Sequence, residues 1–381
     1  MTQPIERKTI PIFRPAISED EIAAVTAVLR SQWLGPGPVA REFESAFAQA
    51  AGSPHSVSTS TGTAALTCLL SGLDVAAGDE VIIPSFTYVA LFQAIVGLGA
   101  VPVFADIEPG HLTLDPEDVA RRITPRTRGI IAVHHGGQLA AMDRLRSLSD
   151  TAGVWLIDDA AHAAGARYGD RPVGSLATAT YFSFSAVKNL TTGDGGMITT
   201  ADESLTRRMT RFRNLGIEED TWARYGEGTE TRSERWAYRM HGLGQRLHLN
   251  DVAAAIGIVQ LRRLPELNRR RAELVQRYEQ AFAGMPGLQS IQARAGTTPS
   301  WHMYTVLLDG RDDFIDQMRG LGITVGVHYY PVHLYSMARS YRTPLPVTER
   351  IWPRVTTFPL YPTMTEDEQE SVIEATRSLV G

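Results

Sequence analysis

The chain has 381 residues, a formal net charge of −5 and a pI near 6.1, with 43% hydrophobic and 21% charged residues. This balance predicts a globular protein of two or three folding units, with no basic surface for nucleic acid and no polybasic arm for a membrane. The first residues hold no apolar run typical of a signal peptide, and a single cysteine, Cys68, cannot form an internal disulfide, so we expect a cytoplasmic location.

Between about residues 55 and 200, short β-type runs alternate with helical patterns. Strands are predicted at 55–60, 80–84, 101–106, 129–135, 154–159, 180–185 and 195–200, with helices near 63–73, 88–97, 116–122 and 140–151. Strands that alternate with helices indicate right-handed βαβ crossovers. We therefore predict a three-layer α/β/α sandwich with a mostly parallel sheet, whose ligand site lies at the carboxyl ends of the strands.

The pattern changes near residue 245. Two long helices are predicted at 250–264 and 265–284, followed by a strand at 303–309, a helix at 314–322, a strand at 323–330 and a terminal helix at 366–380. The charged segment 218–236 is predicted to be an exposed loop. These patterns divide the chain into a large α/β domain (1–245), connecting helices (246–290) and a smaller C-terminal α+β domain (291–381).

Lysine is scarce in this chain. Of its 37 lysine and arginine residues, only Lys8 and Lys188 are lysines. A lysine that persists against such a bias favours a role that arginine cannot take, because an ammonium group can lose its proton and form an imine. Chance explains Lys8, which lies in a polar N-terminal segment. Lys188 is the candidate nucleophile.

The segment STSTGTAAL, residues 58–66, joins a predicted strand to a predicted helix through Gly62. Free backbone N–H groups at such a helix start, together with the helix dipole, bind anions. Gly62, Thr63 and Ala64 therefore form a candidate phosphate site, to which Thr63 adds a hydroxyl group. The same pattern also occurs in α/β proteins that bind no phosphate, and that alternative stays open.

Two carboxylates end a predicted strand in LIDDAAHAAGA, residues 156–166. Buried carboxylates are costly unless they have partners. If a ligand with a basic ring nitrogen binds here, a carboxylate beside that nitrogen keeps it protonated, because a nearby opposite charge favours the ionised form. We choose Asp159 for this role, with His162 three residues later. The alternative is a capped strand end and a hydrogen-bonded core histidine.

Lys188 follows the run YFSFS, which places Ser183 and Ser185 on one face of a strand, and it precedes the glycine-rich return at 193–196. Those glycines are expected to let the backbone pass close to a planar ligand. An anion site, a carboxylate and a reactive amine suit the phosphate, ring nitrogen and aldehyde of pyridoxal 5′-phosphate (PLP). The alternative for Lys188 is a surface position on a hairpin.

These motifs together resemble the DegT/DnrJ family of fold-type-I PLP aminotransferases, which act on nucleotide-linked keto-sugars and related cyclic ketones. The resemblance runs nearly end to end, and further segments that carry it are WLGPGPVAREFESAF, PSFTYVA, GAVPVFADIEP, AAIGIVQL, WHMYTV and GVHYYPVHLY. It implies a homodimer with shared active sites, since this fold builds its site across a two-fold interface.

The resemblance also implies roles for individual residues. Lys188 would form the Schiff base with PLP and move the proton, Asp159 would pair with the pyridine nitrogen, and His162 would lie near the ring's O3′. The other implied cofactor contacts are Gly62, Thr63, Ala64 and Ser183 at the phosphate, and Tyr88 stacked on the ring.

Two positions depart from the family pattern. Leu215 stands where a histidine is usual, and Arg246 stands where many members have asparagine. The residue at the latter position usually reaches the phosphate of the neighbouring subunit, and an arginine would do so with a bidentate grip. The family's dehydratases replace the lysine by histidine, so the retained Lys188 disfavours that reaction.

The expected reaction is a ping-pong transfer of an amino group from glutamate or glutamine to a keto-sugar. A nucleotide-linked 4-keto-6-deoxyhexose is the first choice, and a 3-keto-sugar or a cyclitol ketone such as an inosose is the alternative. His328, Tyr329 and His333 either line the sugar site or are structural, and no metal site is expected. The rivals are another PLP enzyme on the same fold, a non-catalytic regulator, and a nucleotide-binding protein, which would lack its phosphate-loop and dinucleotide motifs here.

Overall fold

The computed structural model describes residues 9–218, 222–223 and 239–380. Its large sheet has seven strands, which in spatial order are β1 (His55–Thr59), β9 (Gly196–Thr200), β8 (Ala179–Ser183), β5 (Trp155–Asp159), β4 (Thr127–Val133), β2 (Glu80–Pro84) and β3 (Val101–Ala105). β9 runs antiparallel to both of its neighbours, and the other pairs are parallel. The predicted, mostly parallel sheet is confirmed.

Helices cover both faces of this sheet. One face carries α2 (Pro38–Ala50), α5 (Pro116–Arg122), α6 (Met142–Ala152) and the start of α8 (Asp251–Phe282), and the other carries α3 (Gly62–Gly72), α4 (Ala90–Gly97) and α7 (Glu203–Phe212). Successive strand residues alternate between the two cores. Ile130 and Leu156 pack on the first face, and Ile131 and Ile157 pack on the second. The three-layer α/β/α sandwich is therefore also confirmed.

The C-terminal part has its own sheet and its own core. β10 (Leu288–Ser290), β12 (Tyr304–Leu308) and β13 (Val355–Phe358) form an antiparallel sheet, which α9 (Arg311–Gly320) and α11 (Glu366–Val380) accompany. Tyr278 and Phe282, at the end of α8, pack into this core beside Tyr304 and Phe358. The division at residues 245 and 290 stays a prediction.

Ile10 also belongs to this C-terminal core, although it lies at the other end of the chain. Its N–H donates to the carbonyl of Gly322 at 2.9 Å, and the carbonyl of Ile12 accepts from Leu360 at 3.1 Å. The N-terminal segment is therefore held against the C-terminal part. α1 (Glu19–Ser31), which follows it, packs on α8.

The prediction of two helices at 250–264 and 265–284 is wrong. One helix, α8, runs through Pro265 without a break. Proline removes one backbone hydrogen bond from a helix interior, but tertiary contacts hold this helix on both sides of it. Before the proline, Arg263 Nη1 lies 2.6 Å from Glu21 Oε1 of α1. After it, Asn268 Nδ2 donates to the carbonyl of Ala164 at 2.9 Å.

The predicted strand at 323–330 is also wrong. This segment makes only isolated bridges, from Ile323 to Ile10 and from Gly326 to Thr357, and the third strand of the small sheet is instead β13. Beyond Gly326 the segment leaves the sheet, and its residues His328 and Tyr329 line a cavity. Short pieces complete the fold, namely β6 (Arg167–Tyr168), β7 (Arg171–Pro172), β11 (Thr297–Thr298) and α10 (Pro346–Ile351). The loop predicted at 218–236 falls, except for residues 218, 222 and 223, outside the described residues.

Candidate active site

A cavity of about 490 Å³ opens at the carboxyl ends of the parallel strands. Its volume lies in the range typical of small-molecule sites. One side is built from the ends of β4, β5 and β8 and the start of α3, and the other from the N-terminal segment and the C-terminal part. The cavity is thus at the sheet edge where the sequence predicts a ligand site.

Lys188 lines this cavity from the turn that follows β8. Its backbone N–H donates to the carbonyl of Ser185 at 3.0 Å, and Ser185 and Ser183 line the cavity beside it. Burial lowers the pKa of the Lys188 amine to about 8, although the nearby Asp159 carboxylate opposes that shift. An amine with this pKa is partly unprotonated near neutral pH and can act as a nucleophile or a base.

The two carboxylates at the end of β5 point in opposite directions, as strand alternation requires. Asp158 is fully buried on the far face, where its Oδ1 lies 3.8 Å from Nε2 of His134. Asp159 lines the cavity, where it accepts from the Ala161 N–H at 3.0 Å and from the Tyr181 hydroxyl. Burial raises the pKa of Asp159, so its ionised form calls for a cation in the cavity.

The start of α3 faces the same space. Thr61 caps the helix by accepting the Ala64 N–H at 2.9 Å, which leaves the first two helical N–H groups, those of Gly62 and Thr63, without an acceptor in the helix. A Cβ atom on Gly62 would lie 2.6 Å from the Ser183 Cβ, so only glycine allows the helix to start against β8. Gly62, Thr63 and Ser183 therefore converge on the cavity.

His162 forms part of a stack of rings along the cavity wall. Its Nδ1 accepts from the Gly136 N–H at 3.3 Å, so in the neutral ring Nε2 carries the proton and donates to the Tyr329 hydroxyl, 3.2 Å away. Burial lowers the pKa of His162 well below its usual value, which keeps the ring neutral. His302 stacks on His162 with ring centroids 4.5 Å apart, and Phe13 stacks on His302 at 5.2 Å.

Two tyrosines and a histidine complete the lining that the sequence predicted. Tyr88, 57% exposed, lies with its ring centroid 5.7 Å from that of Tyr329. His328 lines the cavity next to Tyr329, and its Nδ1 lies 3.1 Å from the Thr357 hydroxyl. Burial lowers the pKa of His328 to about 4, so this ring is also neutral at physiological pH.

Three of the predicted residues do not line the cavity. The Ala64 N–H is already bonded to Thr61, and His333 is buried behind the wall. Arg246 is exposed, in a bridge with Asn214. The expected role of the glycines at 193–196 beside a planar ligand stays a prediction. A Cβ on Gly196 would lie 2.4 Å from the Thr61 carbonyl oxygen, so this glycine allows a close approach between protein segments.

Sequence reasoning missed several residues of the lining. Tyr181 precedes Ser183 by two residues on the same strand, so the alternation that placed the serines also predicts its position. Thr61 has the N-cap signature of the next helix. No comparable pattern marks Phe13 or His302, because distant segments bring them to the site. Within the described ranges, no group of three or more His, Cys, Asp or Glu side chains is arranged to hold a metal ion.

The fold and the cavity agree with comparisons against known proteins. A model of the DegT/DnrJ/EryC1/StrS aminotransferase family matches residues 15–377. The chain belongs to this family. One relative is the spore coat polysaccharide biosynthesis protein SpsC of Bacillus subtilis (strain 168). It is 36% identical over an alignment of 382 residues that covers 97% of each chain.

Solved structures agree as well. The aminotransferase TlmJ from Streptoalloteichus hindustanus is 35% identical, with a TM-score of 0.90 over 97% of this chain and 98% of that one. The putative sugar aminotransferase Spr1654 from Streptococcus pneumoniae, solved in PLP and PMP (pyridoxamine phosphate) forms, is 29% identical, and its PMP form has a TM-score of 0.90 with 98% of each chain covered.

As a member of this family, the protein is a PLP-dependent aminotransferase of fold type I. The cavity fits that cofactor chemically. It offers a buried amine of lowered pKa, a buried carboxylate that calls for a cation, and uncapped N–H groups at a helix start. Across the described residues, no helix is long and apolar enough to cross a membrane.

Proposed function

We propose that this protein transfers an amino group from glutamate or glutamine to a keto-sugar, with a nucleotide-linked 4-keto-6-deoxyhexose as the first acceptor. The observation that carries the proposal is the convergence of Lys188, Asp159 and the start of α3 on one cavity whose opposite wall is neutral and polar. The relatives SpsC, a spore coat polysaccharide biosynthesis protein, and Spr1654, a putative sugar aminotransferase, support the proposal.

In this proposal Lys188 would hold the cofactor covalently. Once the amino donor has displaced it, Lys188 would move the proton of the donor's α-carbon. When bound, PLP supplies the electron sink for the electrons left on the donor's α-carbon. The freed Lys188 amine, whose pKa burial lowers, would serve as the base that takes the donor's α-proton and as the acid that returns it. The Asp159 carboxylate would hold the proton on the ring nitrogen, and this cation would meet the need of the buried carboxylate for a positive partner.

The other cofactor contacts follow from position. The N–H groups of Gly62 and Thr63 and the Ser183 hydroxyl bind the phosphate, because a helix start stabilises negative charge. Tyr88 would stack on the ring, and His162, whose two nitrogens contact the Gly136 N–H and the Tyr329 hydroxyl, would line the ring on the O3′ side. Ala64, whose N–H is occupied by Thr61, contributes to the phosphate site only through the backbone shape of the turn.

The acceptor site is the wall formed by His328, Tyr329 and Tyr88. Neutral imidazole and phenol groups donate and accept hydrogen bonds, as the hydroxyl groups of a sugar require. Burial keeps His328 neutral, with a pKa of about 4. The wall therefore carries no positive charge that would repel the protonated amine of Lys188.

The working unit in this proposal is a homodimer with shared sites. Met240 and Leu243 are 73% and 97% exposed on the segment that also carries Arg246, and Ile22 and Leu29 are half exposed on α1. The proposed interface would cover these exposed apolar residues, which supports the proposal. Arg246, outside its own cavity, then reaches the phosphate of the partner subunit.

The dimer is tested by mixing two inactive variants, Lys188→Ala and Arg246→Ala. In random dimers, half are mixed and each mixed dimer has one intact site, so activity should return to about a quarter of the wild-type value. Sedimentation gives the oligomeric state of each variant. Mixed dimers that stay as inactive as their parents contradict the shared site, and a fully active monomer contradicts the dimer.

The substrate is tested in two half-reactions. PLP-loaded protein is mixed with L-glutamate or L-glutamine, and the absorbance change and the released keto acid are measured. The isolated pyridoxamine form then receives a nucleotide-linked 4-keto-6-deoxyhexose, its 3-keto isomer or an inosose, and mass spectrometry detects the amine product. Amination of the 4-keto-sugar is expected. Amination of only the isomer or the inosose corrects the acceptor, and no reaction with either donor overturns the amino-transfer proposal.

A further inference from the structure

A second polar cluster, formed by Ser85, His333 and Glu349, lies just behind the cavity wall. Ser85 and His333 are buried, and Glu349 is half exposed. The Ser85 hydroxyl lies 2.5 Å from Nδ1 of His333, and it also accepts the His333 backbone N–H at 3.0 Å. On the other side of the ring, Nε2 lies 3.3 Å from Glu349 Oε1.

One arrangement of protons satisfies all these contacts. A neutral histidine with its proton on Nε2 donates to the Glu349 carboxylate and leaves Nδ1 to accept from the Ser85 hydroxyl. The hydroxyl oxygen remains free to accept the backbone N–H. Other charged groups that act on the ring are Asp106 and Arg342, and Arg342 Nε donates to the His333 carbonyl.

The geometry excludes a nucleophilic role for Ser85, although a serine, a histidine and a carboxylate in line would otherwise suggest one. Ser85 has no exposed surface and does not line the cavity. The ring of Phe104 lies beside His333, with centroids 6.2 Å apart. A substrate therefore has no path to the serine oxygen.

The cluster instead joins the two segments that carry the tyrosines of the wall. Ser85 follows β2 and lies three residues before Tyr88, and His333 lies four residues after Tyr329. The Val332 N–H adds a bond to the Ser85 carbonyl at 2.8 Å. The two tyrosine rings lie 5.7 Å apart, on the cavity side of this junction.

We propose that Ser85, His333 and Glu349 form a clamp that sets the separation of Tyr88 and Tyr329, and so the width of the cavity where the cofactor ring binds. They are positioning residues, since none of them touches the cavity. The clamp rests on the proposed contact between Tyr88 and the cofactor, and it does not depend on which ketone is aminated.

Binding of PMP to the cofactor-free protein tests the clamp, because PMP forms no covalent bond that would mask the loss of a contact. Fluorescence titration measures its Kd. Ser85→Ala is expected to raise the Kd roughly tenfold, the scale of one buried hydrogen bond. In a Tyr88→Ala background the same change is expected to add almost nothing, because the clamp acts through that ring.

A matched pair at position 333 separates the two ends of the clamp. His333→Asn keeps an acceptor near the Nδ1 position for Ser85, and His333→Gln keeps only a group that reaches toward Glu349. We expect the asparagine variant to bind PMP nearly as well as the wild type and the glutamine variant to bind it less tightly. The half-exposed Glu349 offers a milder pair, in which Glu349→Gln retains an acceptor and Glu349→Ala does not.

A merely structural cluster would lower the Tm of these variants and leave the Kd of the folded protein unchanged, and that result overturns the clamp. If the substitutions at positions 85 and 333 prevent folding, equal Kd values for Glu349→Ala and the wild type overturn it as well. A wild-type protein that binds PMP but aminates no keto-sugar refutes the proposed substrate and leaves this test in force.

Discussion

The two sides of the cavity are built in different ways. On the sheet side, Asp159 ends one strand of the large sheet, and Lys188 and Gly62 lie just after two others, so that sheet sets their relative positions. On the other side, Phe13, His302 and His328 come from three distant segments. The reacting groups thus lie on the rigid scaffold, and the groups suited to recognising a substrate lie on connecting segments. The difference predicts that substitutions on the sheet side remove chemistry and those on the opposite side change affinity.

The largest effect is expected at Lys188. Lys188→Arg keeps a positive charge but loses the amine that can form an imine, so activity should fall by at least about a thousandfold while the fold is retained. Borohydride reduction of the PLP-loaded wild type should attach the cofactor to this side chain, as peptide mapping by mass spectrometry will show, and the variant should remain unlabelled.

The chain supplies its own control, since Lys8 is its one other lysine. Lys8→Arg should retain both activity and labelling. Normal turnover by Lys188→Arg, or label found at Lys8, would refute the assignment of the nucleophile.

A smaller loss is expected at Asp159. Asp159→Asn removes the charge that holds the ring nitrogen protonated, so activity should fall by roughly a hundredfold to a thousandfold, the scale of one missing electrostatic contact at a reacting centre. Asp158→Asn is the matched control, because the neighbouring carboxylate faces His134 on the other side of the sheet. We expect that variant to lose stability and to keep its activity per folded molecule. Equal activities in the two variants would contradict the assignment.

The sheet side was more predictable than the opposite side for a physical reason. Buried parallel strands are continuous apolar runs, and polar residues that end such a run stand out, as Asp158 and Asp159 do after WLI. The alternation of side chains then selects the cavity-facing partner. The segment 323–330 was predicted as a strand and β13 was not, because β13 has only four residues and two of them are threonines; pairing with β12 is what makes β13 the strand.

The opposite side depends on contacts between distant residues. Phe13 reaches the cavity because Ile10 and Ile12 bond to the C-terminal part, and His302 follows a turn that packs on Gly137. No spacing along the chain encodes either contact. Pro265 is a further example. Local propensity predicts a break in the helix there, but contacts of the helix on either side of it, with Glu21 and Ala164, hold it continuous.

A third effect is expected on the free energy of unfolding, which is measured without any reaction. In the cofactor-free protein the Lys188 amine has a pKa of about 8, against about 10.4 in an unfolded chain. Between these values the unfolded state binds more protons, so the free energy of unfolding should rise with pH across that window, by up to about 3 kcal/mol from this group. Urea unfolding from pH 7 to 10.5 measures it. Lys188→Gln should be the more stable protein below pH 8 and lose that advantage by pH 10.5; parallel curves for the two proteins would contradict the buried amine.

The smallest effect is expected on the opposite side of the cavity. His328→Ala removes a neutral ring that lines the wall, and its Nδ1 contact with Thr357 shows that a second atom of the ring is left for a substrate. We expect the KM for the ketone to rise about tenfold, the scale of one hydrogen bond, while kcat and the cofactor absorbance stay close to the wild-type values. His111→Ala is the control, at a partly exposed histidine that lies outside the cavity and bonds to the Gln292 carbonyl. A fall in kcat with an unchanged KM would mean that His328 acts on the reacting atoms, and the division between a catalytic side and a recognition side would then fail.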